Sequence, residues 1–276
     1  VRCLVIGATG YVGARLVPRL LAAGHPVRAL VRDPAKAARL DWADRVDVRV
    51  GDLADAAAVA AACADMDAVF YLVHAMDAPG FADRDRQAAH VLARAAREAG
   101  VGRVVYLGGL QPDGAASEHL TSRREVGDVL LAEGPPTAVL QAGIVVGAGS
   151  ASFELIRGLA QVGPVLAMPD RAWNAVQPIG IDDVLHHLLA ALDLPADVNR
   201  AFDIGGPDVL TYRELVTGCA EQAGRRHPLT VPVPVSMPRL SARAVDALTP
   251  VGRFLAGPLF GSMAHDLVCR TGPPDG

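Results

Sequence analysis

Residues 1–24 read VRCLVIGATGYVGARLVPRLLAAG, and this stretch decides the fold. VRCLVI is an apolar, β-branched run of strand length, and from Ala14 to Gly24 the apolar residues recur at helical spacing. Between them GATGYVG sets glycines at 7, 10 and 13. A glycine pattern alone says little, but one held between an opening strand and a helix has the context that a dinucleotide-binding loop requires. Gly7 permits the tight turn, Gly10 lets the backbone approach a pyrophosphate, and Gly13 allows helix and strand to pack closely. Thr9, Tyr11 and Val12 complete the loop. The helix then offers the phosphates its free N–H groups and the positive end of its dipole.

Outward from this loop, short β-branched runs alternate with Ala/Leu/Arg helical patterns, as in repeated βαβ units. Strands are predicted near 2–6, 27–31, 47–50, 67–72, 103–107 and 136–140. Helices are predicted near 11–23, 55–63, 82–99 and 119–133, with a weaker one near 34–39. After residue 150 the rhythm changes. A helix near 152–162 precedes a Pro/Gly-rich passage from Gly163 to Gly180, and another helix runs near 182–193. A short strand at Ala201–Ile204, a helix from Thr211 to Ala223, a Pro-interrupted VPVPV run and helices near 238–247 and 250–263 follow. The expectation is an α/β fold: a doubly wound parallel sheet of Rossmann type over residues 1–150, with residues 151–276 forming a smaller, α-rich part over the strand ends, where open α/β sheets bind ligands.

Composition agrees with this architecture. Hydrophobic residues make up 51% of the 276 positions and aromatics only 4%, so the core is built mainly from Ala, Val and Leu, as in helix-covered parallel sheets. The net charge of −4 and the absence of a basic stripe argue against a nucleic-acid partner and leave a small molecule as the expected one. Cys3, Cys63, Cys219 and Cys269 lie far apart, which predicts neither a metal site nor a disulfide framework and fits a reducing cytoplasm. No run approaches the ~18 apolar residues of a membrane span. The chain opens directly on a strand without the marks of a signal peptide, and the closing TGPPDG reads as a disordered tail. Oligomeric state is not legible.

The charges beside the strand ends bear on cofactor choice. The second strand ends at Arg32, where an NAD-preferring domain carries a carboxylate for the ribose 2′-OH; a guanidinium suits a 2′-phosphate instead, so NADP is expected, with NAD possible. The bland reading of Arg32 is a solvated strand-end charge. Asp52 and Leu53 follow the third strand where an adenine would rest. Asp52 either accepts from the adenine amino group or caps the helix that begins near Asp55.

GATGYVG at 7–13, VRDP at 31–34, GDL at 51–53, RVVYLGGL at 103–110, IGIDDV at 179–184 and FDIGGPDVLTYREL at 202–215 together resemble the atypical and extended short-chain dehydrogenase/reductase families, in particular their NmrA-like and complex-I-subunit-like NAD(P)H-binding members. The resemblance covers nearly the whole chain. It implies that Leu72, Val73 and His74, then Leu107, Gly108 and Gly109, then Ala142, Gly143 and Ile144 line the nicotinamide half of the site. It also implies a catalytic Ser after the fifth strand and a Tyr-x-x-x-Lys on the next helix, and that set is not intact. The residue after YLG is Gly109, and HLTSR places His119 at the Tyr position and Arg123 at the Lys position.

An arginine donates hydrogen bonds without relaying its own proton, whereas an imidazole titrates near neutrality and can replace Tyr as acid or base. His119 and Arg123 are therefore the catalytic candidates, each weighed against an ordinary surface role, and His74 is a candidate polar contact. The pair His186-His187 reads as structural, and Asp182-Asp183 as a helix cap. The function expected is an NADP(H)-dependent oxidoreductase acting on a small, mostly apolar carbonyl or enone substrate. The alternative is a non-catalytic dinucleotide sensor or assembly protein.

Overall fold

The computed structural model describes residues 1–74, 80–114, 116–161, 163, 165–225, 228–233 and 263–270. The chain opens with β1 (Cys3–Ile6), α1 (Gly13–Ala22), β2 (Val27–Val31), α2 (Pro34–Ala37), β3 (Asp47–Val50), α3 (Ala56–Cys63), β4 (Ala68–Tyr71) and α4 (Phe81–Glu98). It continues through β5 (Arg103–Gly109), α5 (Glu118–Glu133), β6 (Thr137–Ala142), β7 (Val145–Val146), α6 (Ala151–Leu159), β8 (Val165–Pro169), β9 (Ala175–Val176), β10 (Ile179–Gly180) and α7 (Ile181–Ala190). The later elements are β11 (Arg200–Ile204), β12 (Leu210–Thr211), α8 (Tyr212–Gln222) and β13 (Leu229–Val233).

Seven strands form one sheet in the order β3, β2, β1, β4, β5, β6, β11, and every neighbouring pair is parallel. The first six follow the doubly wound order, whose direction reverses between β1 and β4. Alternation along β1 shows why its run is apolar throughout. Cys3 and Val5 face a layer with Leu16, Leu20, Val184 and Leu188 from α1 and α7, while Leu4 and Ile6 face Val59, Leu92, Val126 and Leu130 from α3, α4 and α5. Both faces of the sheet are covered, so both side-chain sets are buried.

The seventh strand and α7 come from beyond residue 150. Arg103, buried at the start of β5, donates to the carbonyls of Leu194, Pro195 and Val198, and Asn199 bridges Thr137 N and Leu131 O, which fixes β11 beside β6. Arg19 of α1 pairs with Asp182 of α7. The Asp182-Asp183 pair lies in the first turn of α7 without making a side-chain cap, so the cap expected there is replaced by a favourable end charge and this ion pair. A separate apolar cluster gathers Ile156, Leu166, Met168, Val176, Tyr212, Val216 and Met263, all from beyond residue 150.

The Pro/Gly-rich passage from Gly163 to Gly180 contains β8, β9 and β10, and the VPVPV run begins within β13, which pairs with β8. Strands of two residues leave no alternation to read, and Pro232 masks a strand pattern. The helices expected near 238–247 and 250–263, and the tail, lie outside the described residues except for Met263, which stands in a turn. Among the described residues no helix is long and apolar enough to cross a membrane.

Candidate active site

The three glycines of the first loop have separable geometric reasons. Gly7 adopts φ +92°, and a Cβ on it would meet the backbone of Leu72 at 3.1 Å. At Gly13 a Cβ would stand 2.2 Å from the Gly7 carbonyl oxygen, so this glycine sets the approach of α1 to β1. A Cβ on Gly10 would meet only the Gly7 carbonyl, at 3.2 Å, and otherwise points into open space. Val12 caps α1 without a side-chain bond, and the amides of Ala14 and Arg15 donate to the Gly10 and Val12 carbonyls, so it is the loop end ahead of them that faces an anion. The loop thus fits a dinucleotide pyrophosphate, with Gly10 on the ligand side. Thr9 is half-buried in this turn.

At the adenosine end, Arg32 is exposed and makes no hydrogen bond or ion pair among the described residues. Asp33 caps α2, accepting from the amides of Ala35 and Lys36 at 2.9 and 3.2 Å. Arg28 is held by Asp47 and the carbonyls of Ala62 and Ala64. Asp52 is exposed and accepts from Ala54 N at 2.9 Å, whereas Asp55 caps α3, so the capping alternative for Asp52 reduces to its own turn. Leu53 packs half-buried beside it.

A cavity of about 290 Å³ opens past the carboxyl ends of β4, β5 and β6. Tyr11 and Val12 line one side, Leu107, Gly108, Gly109, Ala142, Gly143 and Ile144 the floor, and Leu155, Ile156, Leu159, Met168, Tyr212 and Val216 the far wall. His74, His119 and Arg123 stand together in its polar wall. Gly7, Thr9, Gly10, Gly13, Arg32, Asp52, Leu53 and Val73 lie outside this lining, on the rest of the expected cofactor track. Gly143 has a packing reason as well, since a Cβ there would stand 2.1 Å from the Gln177 carbonyl oxygen. The Tyr11 ring lies under the Arg15 guanidinium at 4.1 Å, and its hydroxyl is buried against Gly147 without a hydrogen-bond partner among the described residues.

The polar wall is a connected chain. Ser117 caps α5 and so starts the helix that presents His119 and Arg123 one turn apart. His119 Nδ1 lies 2.9 Å from His74 Nε2, and His74 Nδ1 lies 3.1 Å from Asp85 Oδ2, a buried carboxylate on α4. Arg123 donates from Nη2 to the Leu107 carbonyl at 2.7 Å, while its Nε is buried without a partner among the described residues. Burial, with Arg123 and His74 adding repulsion, pushes the His119 imidazole down to about 3. Burial also lowers His74, partly offset by its bond to Asp85. Ser122 Oγ is buried and likewise without a partner.

Asp85 is the residue that the sequence reading missed. Its signal was present: in FADRDRQAAHVLARAARE, Asp85 is in register with Ala89, Leu92 and Ala96, so a carboxylate occupies the buried stripe of the helix. His186 and His187 touch edge to face at 5.8 Å, and among the described residues no group of three or more His, Cys, Asp or Glu side chains is placed to hold a metal.

Sheet order and glycine loop are those of a nucleotide-binding α/β protein, and the cavity opens at the strands' carboxyl ends beside the topological switch point. A family model described as NAD(P)H-binding matches residues 7–134. The (4-alkanoyl-5-oxo-2,5-dihydrofuran-3-yl)methyl phosphate reductase of Streptomyces griseus is 32% identical over 227 residues, covering 80% of this chain and 74% of that protein. Sterol demethylase protein B of Methylococcus capsulatus is 38% identical over 131 residues, but this match spans 43% of this chain and only 39% of that protein's length. Among solved structures, the Citrobacter sp. triphenylmethane reductase complexed with NADP(H) superposes with a TM-score of 0.74 at 20% identity, over 98% of this chain and 93% of that one. The chain belongs to the NAD(P)H-binding proteins of the atypical, extended short-chain dehydrogenase/reductase group.

Proposed function

We propose that the protein is an NADP(H)-dependent oxidoreductase that acts on a small, mostly apolar carbonyl or enone substrate without the usual Tyr and Lys. The observation that carries this reading is the 290 Å³ cavity, whose far wall is mostly apolar and whose polar wall is His74, His119 and Arg123. A nicotinamide bound past β4 and β5 supplies the redox chemistry, which leaves the chain to orient it, exclude water and manage one proton. His119 is the residue placed to hold that proton. Arg123 is placed to fix the strand end through Leu107 and to steady the cofactor. Arg32, beside the already engaged Asp33, supports a 2′-phosphate and hence NADP over NAD. The reductases among the relatives support the reaction class.

NADPH oxidation followed with one hydrophobic ketone and one enone tests the reading. Turnover of either supports it. Tight cofactor binding with no turnover of any carbonyl or enone favours the alternative, a dinucleotide sensor, to which the resistance of His119 to charging also lends weight.

A further inference from the structure

The order of atoms in the polar wall fixes more than the presence of an acid or base. Where the Asp85 carboxylate accepts, the proton of the 3.1 Å contact lies on His74 Nδ1. A neutral His74 then has a lone pair on Nε2, and the 2.9 Å contact requires His119 to donate from Nδ1. His119 is left with an unprotonated Nε2 on the side of the ring away from His74. One buried charge thereby sets the tautomers of two rings in series.

We propose that Asp85, His74 and His119 form a proton wire that moves one proton between the cavity and the Asp85 carboxylate while both imidazoles stay neutral. The inference rests on the oxidoreductase reading for its purpose, since His119 must meet the reacting oxygen. In the oxidative direction the O–H bond of a substrate hydroxyl breaks as an N–H bond forms at His119 Nε2. The Nδ1 proton of His119 passes to His74 Nε2, and the Nδ1 proton of His74 passes to Asp85 Oδ2. Each ring loses one N–H bond and gains one, and the negative charge leaves Asp85 and appears on the substrate oxygen. In the reductive direction the same steps run backward, beginning from a transient state in which a solvent proton has passed through both rings to the Asp85 carboxylate.

The surroundings favour this path over a charged imidazolium. Burial lowers both rings, and Arg123 from α5 repels a positive charge on either of them. Phe81 from α4 meets the His74 ring edge to face at 6.5 Å. Tyr71 of β4 and Tyr106 of β5, which feel the Asp85 charge, are held protonated by burial. Asp85 is the acidic group facing His74, and its attraction only partly offsets desolvation. A proton that would be costly to store on either ring passes through both without resting there.

Imidazole ¹⁵N NMR on the full chain reads the tautomers directly, without substrate. At pH 7 the expected result is two neutral rings, His74 and His119, both in the Nδ1–H form, which is the minor form of free imidazole side chains. Asp85→Leu removes the acceptor and should move both rings together to the Nε2–H form. His119 found as Nε2–H in the unmodified protein, or unchanged in Asp85→Leu, overturns the wire. If Asp85→Leu does not fold, His74→Phe keeps an aromatic ring while cutting the chain, and His119 must then lose its Nδ1–H preference; retention of it overturns the proposal. NADPH oxidation measured on the same samples separates the two readings. Predicted tautomers without turnover support the wire and count against the reductase, and turnover with the other tautomers does the reverse.

Discussion

Arg123 Nε lies 3.3 Å from the point at which a Cβ on residue 109 would project. The glycine at the end of β5 and the arginine on α5 therefore fit one another: the missing side chain leaves the space that the larger cation fills. The guanidinium seated beside Gly109 holds the Leu107 carbonyl beneath the cavity.

On the proposed reading, proton management falls to His119. His119→Ala should lower turnover of a carbonyl substrate by about 10²–10⁴ with cofactor affinity nearly intact, the range for positioned acid–base catalysis. Arg123→Ala should weaken cofactor binding as well, because the β5 end loses its tie. Steady-state kinetics and calorimetry on the two variants check the contrast, and unchanged carbonyl turnover in His119→Ala would remove it from the chemistry.

Arg32 should set cofactor preference. Loss of a charge-assisted hydrogen bond costs about 1.5–3 kcal/mol, so Arg32→Ala should reduce the NADPH/NADH affinity ratio by roughly 10- to 150-fold. Calorimetric titration with both cofactors measures this ratio, and an unchanged value would reassign Arg32 to solvent.

The loop glycines should fail in different ways. Gly10→Val places a side chain on the open side of the turn and should abolish cofactor binding while circular dichroism stays native. Gly13→Val drives its Cβ into the Gly7 carbonyl and should lower the urea midpoint whether or not cofactor is present. Matching phenotypes would merge two roles that the geometry keeps apart.

Acid should destabilise the fold through the same imidazoles. The unfolded chain protonates them from about pH 6.5 downward, whereas folded His119 does so only at about 3. The unfolded state thus binds more protons in between, and stability present above pH 6.5 is lost as pH falls toward 3. Urea midpoints at pH 7 and pH 5 should differ less in His119→Phe than in the unmodified protein.

The sheet was legible in the sequence because its central strands β1 and β4 are covered on both faces, which makes each of them a continuous apolar run, and because glycines or helical patterns bound the others. The first loop was equally plain, since strand, glycines and helix adjoin. The polar wall was not, because its members are far apart in sequence: His74 follows β4, Asp85 lies on α4 and His119 on α5, and only the crossovers bring them together. His119 and Arg123 were found through a motif they violate, whereas Asp85 belongs to no motif and announces itself only as a carboxylate on a buried stripe. The mostly apolar wall was hidden for a different reason, being assembled from segments on either side of the Pro/Gly-rich passage.

The pairing of β11 with β6 has a consequence for synthesis. Until residues 200–204 have left the ribosome, β6 is an edge strand whose unpaired N–H and C=O groups offer a template to any neighbouring chain. The nascent protein thus passes through an interval in which most of its sheet is present but one margin is open. Arg103 and Asn199 clamp the arriving strand at the end of the sheet remote from the cavity, so closing that margin brings its own polar ties into place.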